Sequence, residues 1–237
     1  MSEPPVVKPV SVTYGEIPML VPQFADQFGT LEDKILASEL LRLTRELRVL
    51  LSQLSLYIAM SRSQEFGAAC NNTDAKEGRA IILGSLLRSM VVSTAAVFDE
   101  DPRTSNLPKI IRTALSPERS GFLDKFHRHY GVTPTADASR SLLVNYGRKL
   151  RRGSLRDAVL ALIGVRNTFV AHFDMQPNPR SRYALIRDLD HVISAASVVI
   201  GEANVYVLGR RIDTGELRKI LRKEANGFVE TLKRGFD

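Results

Sequence analysis

The sequence predicts an all-α protein, built as an antiparallel bundle of long helices. Two observations predict this fold. Leucine, isoleucine and valine recur at steps of three and four residues over long stretches, which is the pattern of amphipathic helices. The alternation of apolar and polar residues that marks a half-buried strand is convincing only at residues 205–208.

The chain divides into three parts. Residues 1–30 contain five prolines, which prevent a continuous helix and predict an extended N-terminal arm. Residues 31–210 carry the helical periodicity and are expected to form the main domain. Residues 211–237 are predicted to add a C-terminal helix, packed on that domain or appended to it.

The helices can be placed in order along the chain. Thr30 is a suitable N-cap for a helix that begins at Leu31, and residues 70–74 are a turn-forming interruption. The next helix, at residues 79–98, is apolar around most of its circumference, which predicts a buried central helix. Ser154 is expected to cap the helix that Pro177 must terminate. After residue 98 we expect helices at residues 109–115, 117–130, 137–150, 155–174, 182–208 and 215–236.

The composition is that of a folded globular protein, with 44% hydrophobic and 25% charged residues in a chain of 237. Cys70 is the single cysteine, which excludes an intrachain disulfide and every zinc site with several cysteines. The first residues are acidic and contain proline, unlike a secretory signal. The longest apolar stretches, at residues 80–87 and 192–200, are shorter than a membrane span. We therefore expect a soluble, cytoplasmic protein with no membrane partner.

Charge is unevenly distributed along the chain. Residues 1–100 hold 9 basic and 12 acidic side chains, whereas residues 101–237 hold 24 basic and 14 acidic ones. The densest basic run has no acidic residue between Arg140 and Asp157. Nucleic acid is the natural partner for such a run, and a solvated helix face is the alternative. The residues predicted to bind nucleic acid are Arg148, Lys149, Arg151, Arg152 and Arg156.

The segment from Arg166 to His172 is the strongest candidate for chemistry. Arg166, Asn167 and His172 interrupt an apolar pattern near the expected end of a helix. On a helix, six residues place His172 about 120° around from Arg166 and roughly 9 Å further along, so that both side chains can approach one anion. The field of a helix C-terminus favours a protonated histidine, which suits a proton donor or a phosphate ligand.

An Arg followed by Asn and then by His in an all-helical domain resembles the signature of the HEPN superfamily. Arg166, Asn167 and His172 match that signature position by position. A second stretch is similar to the abortive-infection, AbiU-like branch of the superfamily. It begins at Ser89 and continues through residues 97–103 to residues 107–109.

The resemblance implies a metal-independent endoribonuclease that works as a homodimer, with no cofactor. The 2′-hydroxyl of RNA would attack its own phosphate and leave a 2′,3′-cyclic phosphate, with His172 handling protons and Arg166 neutralising the phosphoryl oxygens. Asn167 would orient the histidine or a phosphate oxygen. The implied role is that of a toxin or phage-defence effector, with RNA and a cognate antitoxin as partners. The alternative is a non-catalytic HEPN dimer that binds nucleotide, nucleic acid or a protein partner.

Some sites are less favoured by the sequence. In one HEPN subgroup a tyrosine two residues beyond the histidine is modified by an antitoxin, whereas this chain has Asp174 there. His127 and His129 would point about 160° apart on a helix and cannot chelate one ion, so surface or RNA-contacting roles are expected. His191 is expected at the surface, Cys70 lacks a nearby base, and Tyr146 is a candidate for base stacking. No metal site is predicted.

Overall fold

The computed structural model describes residues 31–71, 73, 75–101, 104–129, 133–171 and 182–235. Within these ranges 89% of the residues are helical and none lies in a strand. The prediction of an all-α fold is therefore confirmed. The predicted N-terminal arm, residues 1–30, lies outside the described residues.

The helices of the described ranges are numbered here in chain order. They are α1 (Leu31–Arg62), α2 (Gln64–Asn71), α3 (Ala75–Phe98), α4 (Leu107–Ala114), α5 (Pro117–His129), α6 (Thr133–Lys149), α7 (Ser154–Ala171), α8 (Arg182–Leu208) and α9 (Thr214–Arg234).

Most predicted helix boundaries agree with the structure to within a few residues. The first helix begins at Leu31, and α3 ends at Phe98, before Pro102, as predicted. The interruption expected at residues 70–74 lies between Asn71, where α2 ends, and Ala75, where α3 begins, and the structure adds a break between α1 and α2 that was not predicted. The strand considered at residues 205–208 is wrong. These four residues end α8 and are all buried, so burial around the whole helix explains why none of them is charged or strongly polar.

The chain forms two compact units, and each is described separately. The described residues of the first unit are those within 31–45, 97–157 and 194–214. Its described core comes from the start of α1, from α4 to α6 and from the end of α8. The fully or almost fully buried apolar side chains include Leu36, Leu40, Leu43, Leu107, Ile110, Ala114, Leu123, Ala136, Leu143, Ala196, Val199, Ile200 and Ala203.

Polar contacts fix the helices of the first unit. Asn106 caps α4, since its side-chain oxygen accepts a hydrogen bond from the backbone N–H of Lys109 at 2.8 Å. The Lys109 ammonium also pairs with Glu39 of α1 at 2.8 Å. The buried carboxylate of Asp33 pairs with Arg119 of α5, which compensates the charge of this carboxylate.

The described residues of the second unit are those within 46–96, 158–171, 182–193 and 215–235. The amphipathic α9 shows how its core is built, because its buried residues recur at four-residue steps: Leu217, Leu221, Ala225 and Val229. The amide of Gln53 on α1 donates to the Ser89 hydroxyl on α3 at 2.9 Å. The guanidinium of Arg79 donates to the Met60 carbonyl at 3.0 Å, which satisfies one of the free carbonyls at the end of α1.

The prediction that α3 is a buried central helix is wrong for its first half. Ile81 is 67% exposed and Ile82 also lies open to solvent. Two described helices are long and apolar enough to span a membrane by length and composition: Ala75–Phe98 and Leu185–Leu208. The sequence had predicted apolar stretches shorter than a membrane span. In Leu185–Leu208, however, 72% of the apolar window is buried inside the chain, as in the core helix of a soluble protein.

Candidate functional site

Arg166 and Asn167 lie one turn and a half before the last described residue of α7. The helix forms here because an apolar stripe faces the core of the second unit, with Leu162 and Val165 buried. Arg166 is half-buried and Asn167 is exposed. The two adjacent residues are separated by about 100° around the helix axis, so both side chains reach the surface at one end of the helix.

The two side chains are joined by hydrogen bonds. The guanidinium of Arg166 donates to the Asn167 Oδ1 atom from both Nε, at 3.2 Å, and Nη2, at 3.0 Å. This bifurcated contact occupies one edge of the guanidinium and fixes its orientation. Arginine binds carboxylate and phosphate groups through the same N–H donors, in the bidentate case with two parallel bonds to two oxygens.

The face of α7 that carries Asn167 is open along its length. Leu160, Gly164 and Asn167 follow one another at steps of four and three residues, and all three are exposed. Leu160 is 50% exposed, and a Cβ added to Gly164 would contact nothing within 4 Å. The stripe beside the polar pair therefore combines one apolar side chain with a glycine.

His172, the third residue of the predicted site, lies outside the described residues, as does Asp174. The predicted juxtaposition of Arg166 and His172 rests on their spacing in the sequence.

The five basic residues predicted to bind nucleic acid lie in the first unit, around the turn that joins α6 to α7. All five side chains are exposed: Arg148, Lys149, Arg151, Arg152 and Arg156. The turn is stabilised by a hydrogen bond of 2.8 Å from the Arg156 guanidinium to the Arg151 carbonyl. Gly153, with φ of +92°, provides the left-handed backbone conformation that the turn requires.

Local interactions stabilise the positive charge of only some residues in this run. Arg148 and Lys149 occupy the last turn of α6, where the helix dipole stabilises cations. The Lys149 ammonium also lies 5.0 Å from the centre of the Tyr146 ring, within the range of a cation–π interaction. Arg156 lies instead in the first turn of α7, where the dipole disfavours a cation. An exposed cation at that position is better suited to an external anion than to the helix.

The prediction for His127 is wrong. This histidine is 2% exposed, and its Nε2 atom donates to the Tyr206 carbonyl at 2.6 Å, so it belongs to the core of the first unit. Burial lowers the pKa of its imidazole, while the hydrogen bond to Tyr206 and the charges of Asp124 and Asp137 act in the opposite direction. The sequence could not reveal this, because a histidine on an amphipathic helix fits either face.

The structure also places two of the less favoured candidates. His191 is exposed on α8, as predicted, and Cys70 is buried. Among the described residues, no group of three or more histidine, cysteine, aspartate or glutamate side chains could hold a metal ion.

Sequence reasoning missed a cavity in the first unit. It lies between one face of α4 and the end of α6, and Arg112 and Arg151 are among the residues that line it. Arg112 is a single basic residue on a short amphipathic helix, which is too weak a signal to mark a site from the sequence.

Comparison with known proteins gives one match. A family model named HEPN_AbiU2 and described as AbiU2 matches residues 33–228. No curated protein and no solved structure matches the chain. The family match covers all nine helices described above except the first two residues of α1 and the last turns of α9.

Proposed function

The chain belongs to the AbiU2 family of HEPN proteins, and on that premise we propose that it is a metal-independent endoribonuclease acting in abortive infection. In this proposal it is a toxin or phage-defence effector that works as a homodimer. It cleaves RNA to a 2′,3′-cyclic phosphate and a 5′-hydroxyl end.

The observation that carries the proposal is the pairing of Arg166 with Asn167 near the end of α7. Both donors of the guanidinium edge already converge on one oxygen atom, at 3.0 and 3.2 Å. With its orientation fixed in this way, the guanidinium can donate to a phosphoryl oxygen of RNA while Asn167 continues to hold it. A group that is held ready for the charge of the transition state contributes more to the rate than one that must reorganise.

The chemistry requires few groups. The 2′-hydroxyl loses its proton and attacks the adjacent phosphorus, and the bond from phosphorus to the 5′-oxygen breaks as that oxygen gains a proton. Arg166 neutralises the negative charge that builds on the phosphoryl oxygens. His172 transfers protons, because the imidazole titrates near neutral pH. Asn167 positions the guanidinium.

The homodimer is supported by the open face of α7. Leu160 and Gly164 leave an exposed surface on the side that carries Asn167. Pairing this face with its copy would bury Leu160 and bring two Arg166–Asn167 pairs to one interface. The exposed basic run at the α6–α7 turn supports RNA as the substrate, since lysine and arginine gain affinity by releasing counterions from phosphates.

The test is cleavage of structured and single-stranded RNA by the full-length protein in EDTA. We expect the wild type to produce ends with a 2′,3′-cyclic phosphate. Arg166→Ala and His172→Ala are expected to lose about 10²- to 10³-fold in rate, as when one group that stabilises a developing oxyanion is removed. His191→Ala and Arg42→Ala are the matched controls, because both side chains are exposed and outside the proposed site.

Equal rates for all five proteins would assign the activity to a contaminant and contradict the proposal. No cleavage of either RNA by the wild type would favour the alternative, a non-catalytic dimer that binds nucleic acid or a protein partner. Cleavage that EDTA abolishes would exclude the metal-independent mechanism.

A further inference from the structure

The cavity beside the α6–α7 turn has the composition of a binding site for one nucleotide. Its volume is about 340 Å³. One wall comes from a single face of α4 and the residue that follows the helix, and the opposite wall comes from the end of α6 and the turn. The residues of the first wall are Pro108, Ile111, Arg112 and Leu115. Those of the opposite wall are Val144, Gly147, Leu150 and Arg151, and Glu100 also lines the cavity.

The size of the cavity suits a nucleobase. A void of about 150 Å³ is enough for a benzene ring, and pockets for small ligands start at roughly 300 Å³. The cavity can therefore hold the two rings of a purine, with its sugar at the mouth. Gly147 allows α6 to approach α4 closely beside the cavity, because a Cβ added to Gly147 would lie 3.4 Å from the Cγ2 atom of Ile111.

The chemistry of the walls also suits a nucleotide. Ile111, Leu115, Val144 and Leu150 give apolar sides between which a flat ring can lie. Arg112 and Arg151 are exposed at the rim, where two guanidinium groups can reach one phosphate. The carboxylate of Glu100 can accept hydrogen bonds from the amino group of adenine or guanine.

The surroundings indicate that this nucleotide belongs to a strand. Arg148, Lys149 and Arg152 lie in the same turn as Arg151, and all of them are exposed. A free mononucleotide would use only the charges at the rim, whereas a strand would place its neighbouring phosphates on these additional cations. An acidic peptide could use the same charges, but it has no flat ring to fill the apolar walls.

We propose that this cavity binds one unstacked purine of a single-stranded RNA, with its phosphate between Arg112 and Arg151. The proposal rests on the proposed ribonuclease function for the identity of the strand. It adds a site that holds the substrate by a base and can make cleavage depend on the position of a purine.

The test measures binding rather than cleavage, so that the two proposals can fail separately. The full-length protein carries His172→Ala to prevent cleavage. The probes are a labelled 12-nucleotide oligoadenylate and a strand of the same length in which every base has been removed. We expect the protein to bind oligoadenylate about tenfold more tightly than the abasic strand, because the apolar walls bury the faces of one base.

Two variants locate this preference in the cavity. Val144→Phe fills the cavity and is expected to abolish the preference for oligoadenylate. Its control, Leu142→Phe, changes an exposed residue on the same helix outside the cavity and should keep the preference. Arg112→Ala removes a cation from the rim and should weaken binding of both strands, while Arg42→Ala should leave both affinities unchanged.

Equal affinity for the two strands, no binding of either, or an unchanged preference in Val144→Phe would overturn the proposal. The proposal would also be overturned, in favour of a free nucleotide, if adenosine monophosphate displaced the labelled oligoadenylate as effectively as unlabelled oligoadenylate does. Equal competition by polyglutamate would overturn it in favour of an acidic peptide. If the wild type and Val144→Phe cleave RNA equally, the result would support the ribonuclease function and contradict the proposed base site.

Discussion

The guanidinium of Arg166 and the amide oxygen of Asn167 form a two-pronged hydrogen bond, although the residues are neighbours on one helix. Neighbouring side chains on a helix do not normally face each other. Here the long arginine side chain bends across the helix surface to reach the shorter asparagine. The pair constrains a flexible group at the position where the proposed reaction needs a fixed cation.

Loss of the Asn167 amide should therefore weaken catalysis through the position of Arg166. We expect Asn167→Ala to lower kcat about tenfold with a smaller change in KM, because the arginine must be ordered during the reaction. Asn167→Asp keeps an acceptor oxygen but adds a negative charge that competes with the phosphate, so its KM should rise. Steady-state cleavage of one defined RNA measures both values. An unchanged kcat in Asn167→Ala would show that the hydrogen bonds have no role in the reaction.

The exposed basic run should contribute to RNA binding and little to the chemical step. We expect the triple variant of Arg148, Lys149 and Arg152 to alanine to raise KM while kcat at saturating RNA stays unchanged. For single-stranded RNA, each lost phosphate contact should reduce the slope of log affinity against log salt by about 0.7. A double variant of the exposed Lys34 and Arg42 to alanine is the charge-matched comparison. A salt slope equal to that of the wild type would assign the run to a solvated helix face.

The sequence predicted the helices because their signals are local. Apolar spacing, proline positions and the glycine before α7 act within a few residues of the structure they determine. The sequence predictions were wrong where the burial of a side chain depends on distant parts of the chain. His127 is buried because Tyr206, 79 residues away in sequence, offers a carbonyl to its ring. Ile81 is exposed although its helix is apolar around most of its circumference.

The residues of the candidate site were likewise predicted only where their signal in the sequence is local. The pattern from Arg166 to His172 and the basic run are local, so the sequence was enough to select them. The cavity between α4 and α6 depends on residues from three separate segments, and Glu100, Arg112 and Val144 show no common pattern in the sequence. Only the fold brings these residues to one place.

The buried pair of Thr44 and Asn204 should matter for stability. The amide of Asn204 donates to the Thr44 hydroxyl at 3.1 Å and to the Ile200 carbonyl at 2.7 Å, and both side chains are about 1% exposed. We expect Asn204→Ala to lower the free energy of unfolding by about 2–3 kcal/mol, since it leaves a buried carbonyl and hydroxyl with fewer partners and creates a small void. The exposed Asn145 provides the control, because alanine there should change stability by less than about 0.5 kcal/mol. Urea unfolding of the three proteins measures the difference, and equal losses at both positions would contradict the assigned role.

The buried His127 should make the protein less stable in mild acid. Burial lowers the pKa of its imidazole below the usual value of about 6.5, so the folded state holds the neutral form more firmly than the unfolded state does. The stability that this provides is fully present above the usual pKa. It is lost as the pH falls, because the unfolded chain then binds a proton that the folded chain resists.

A comparison of His127→Asn with the wild type isolates this effect, since asparagine can donate to the Tyr206 carbonyl but does not titrate. The variant is expected to be less stable at pH 8, where the larger imidazole packs better. Between pH 7 and pH 5 the wild type should lose more of its free energy of unfolding than the variant, so that the difference between them narrows. Urea unfolding at four pH values within this range tests the prediction. Parallel curves would show that the imidazole has the same proton affinity in both states, and His127 would then contribute through packing alone.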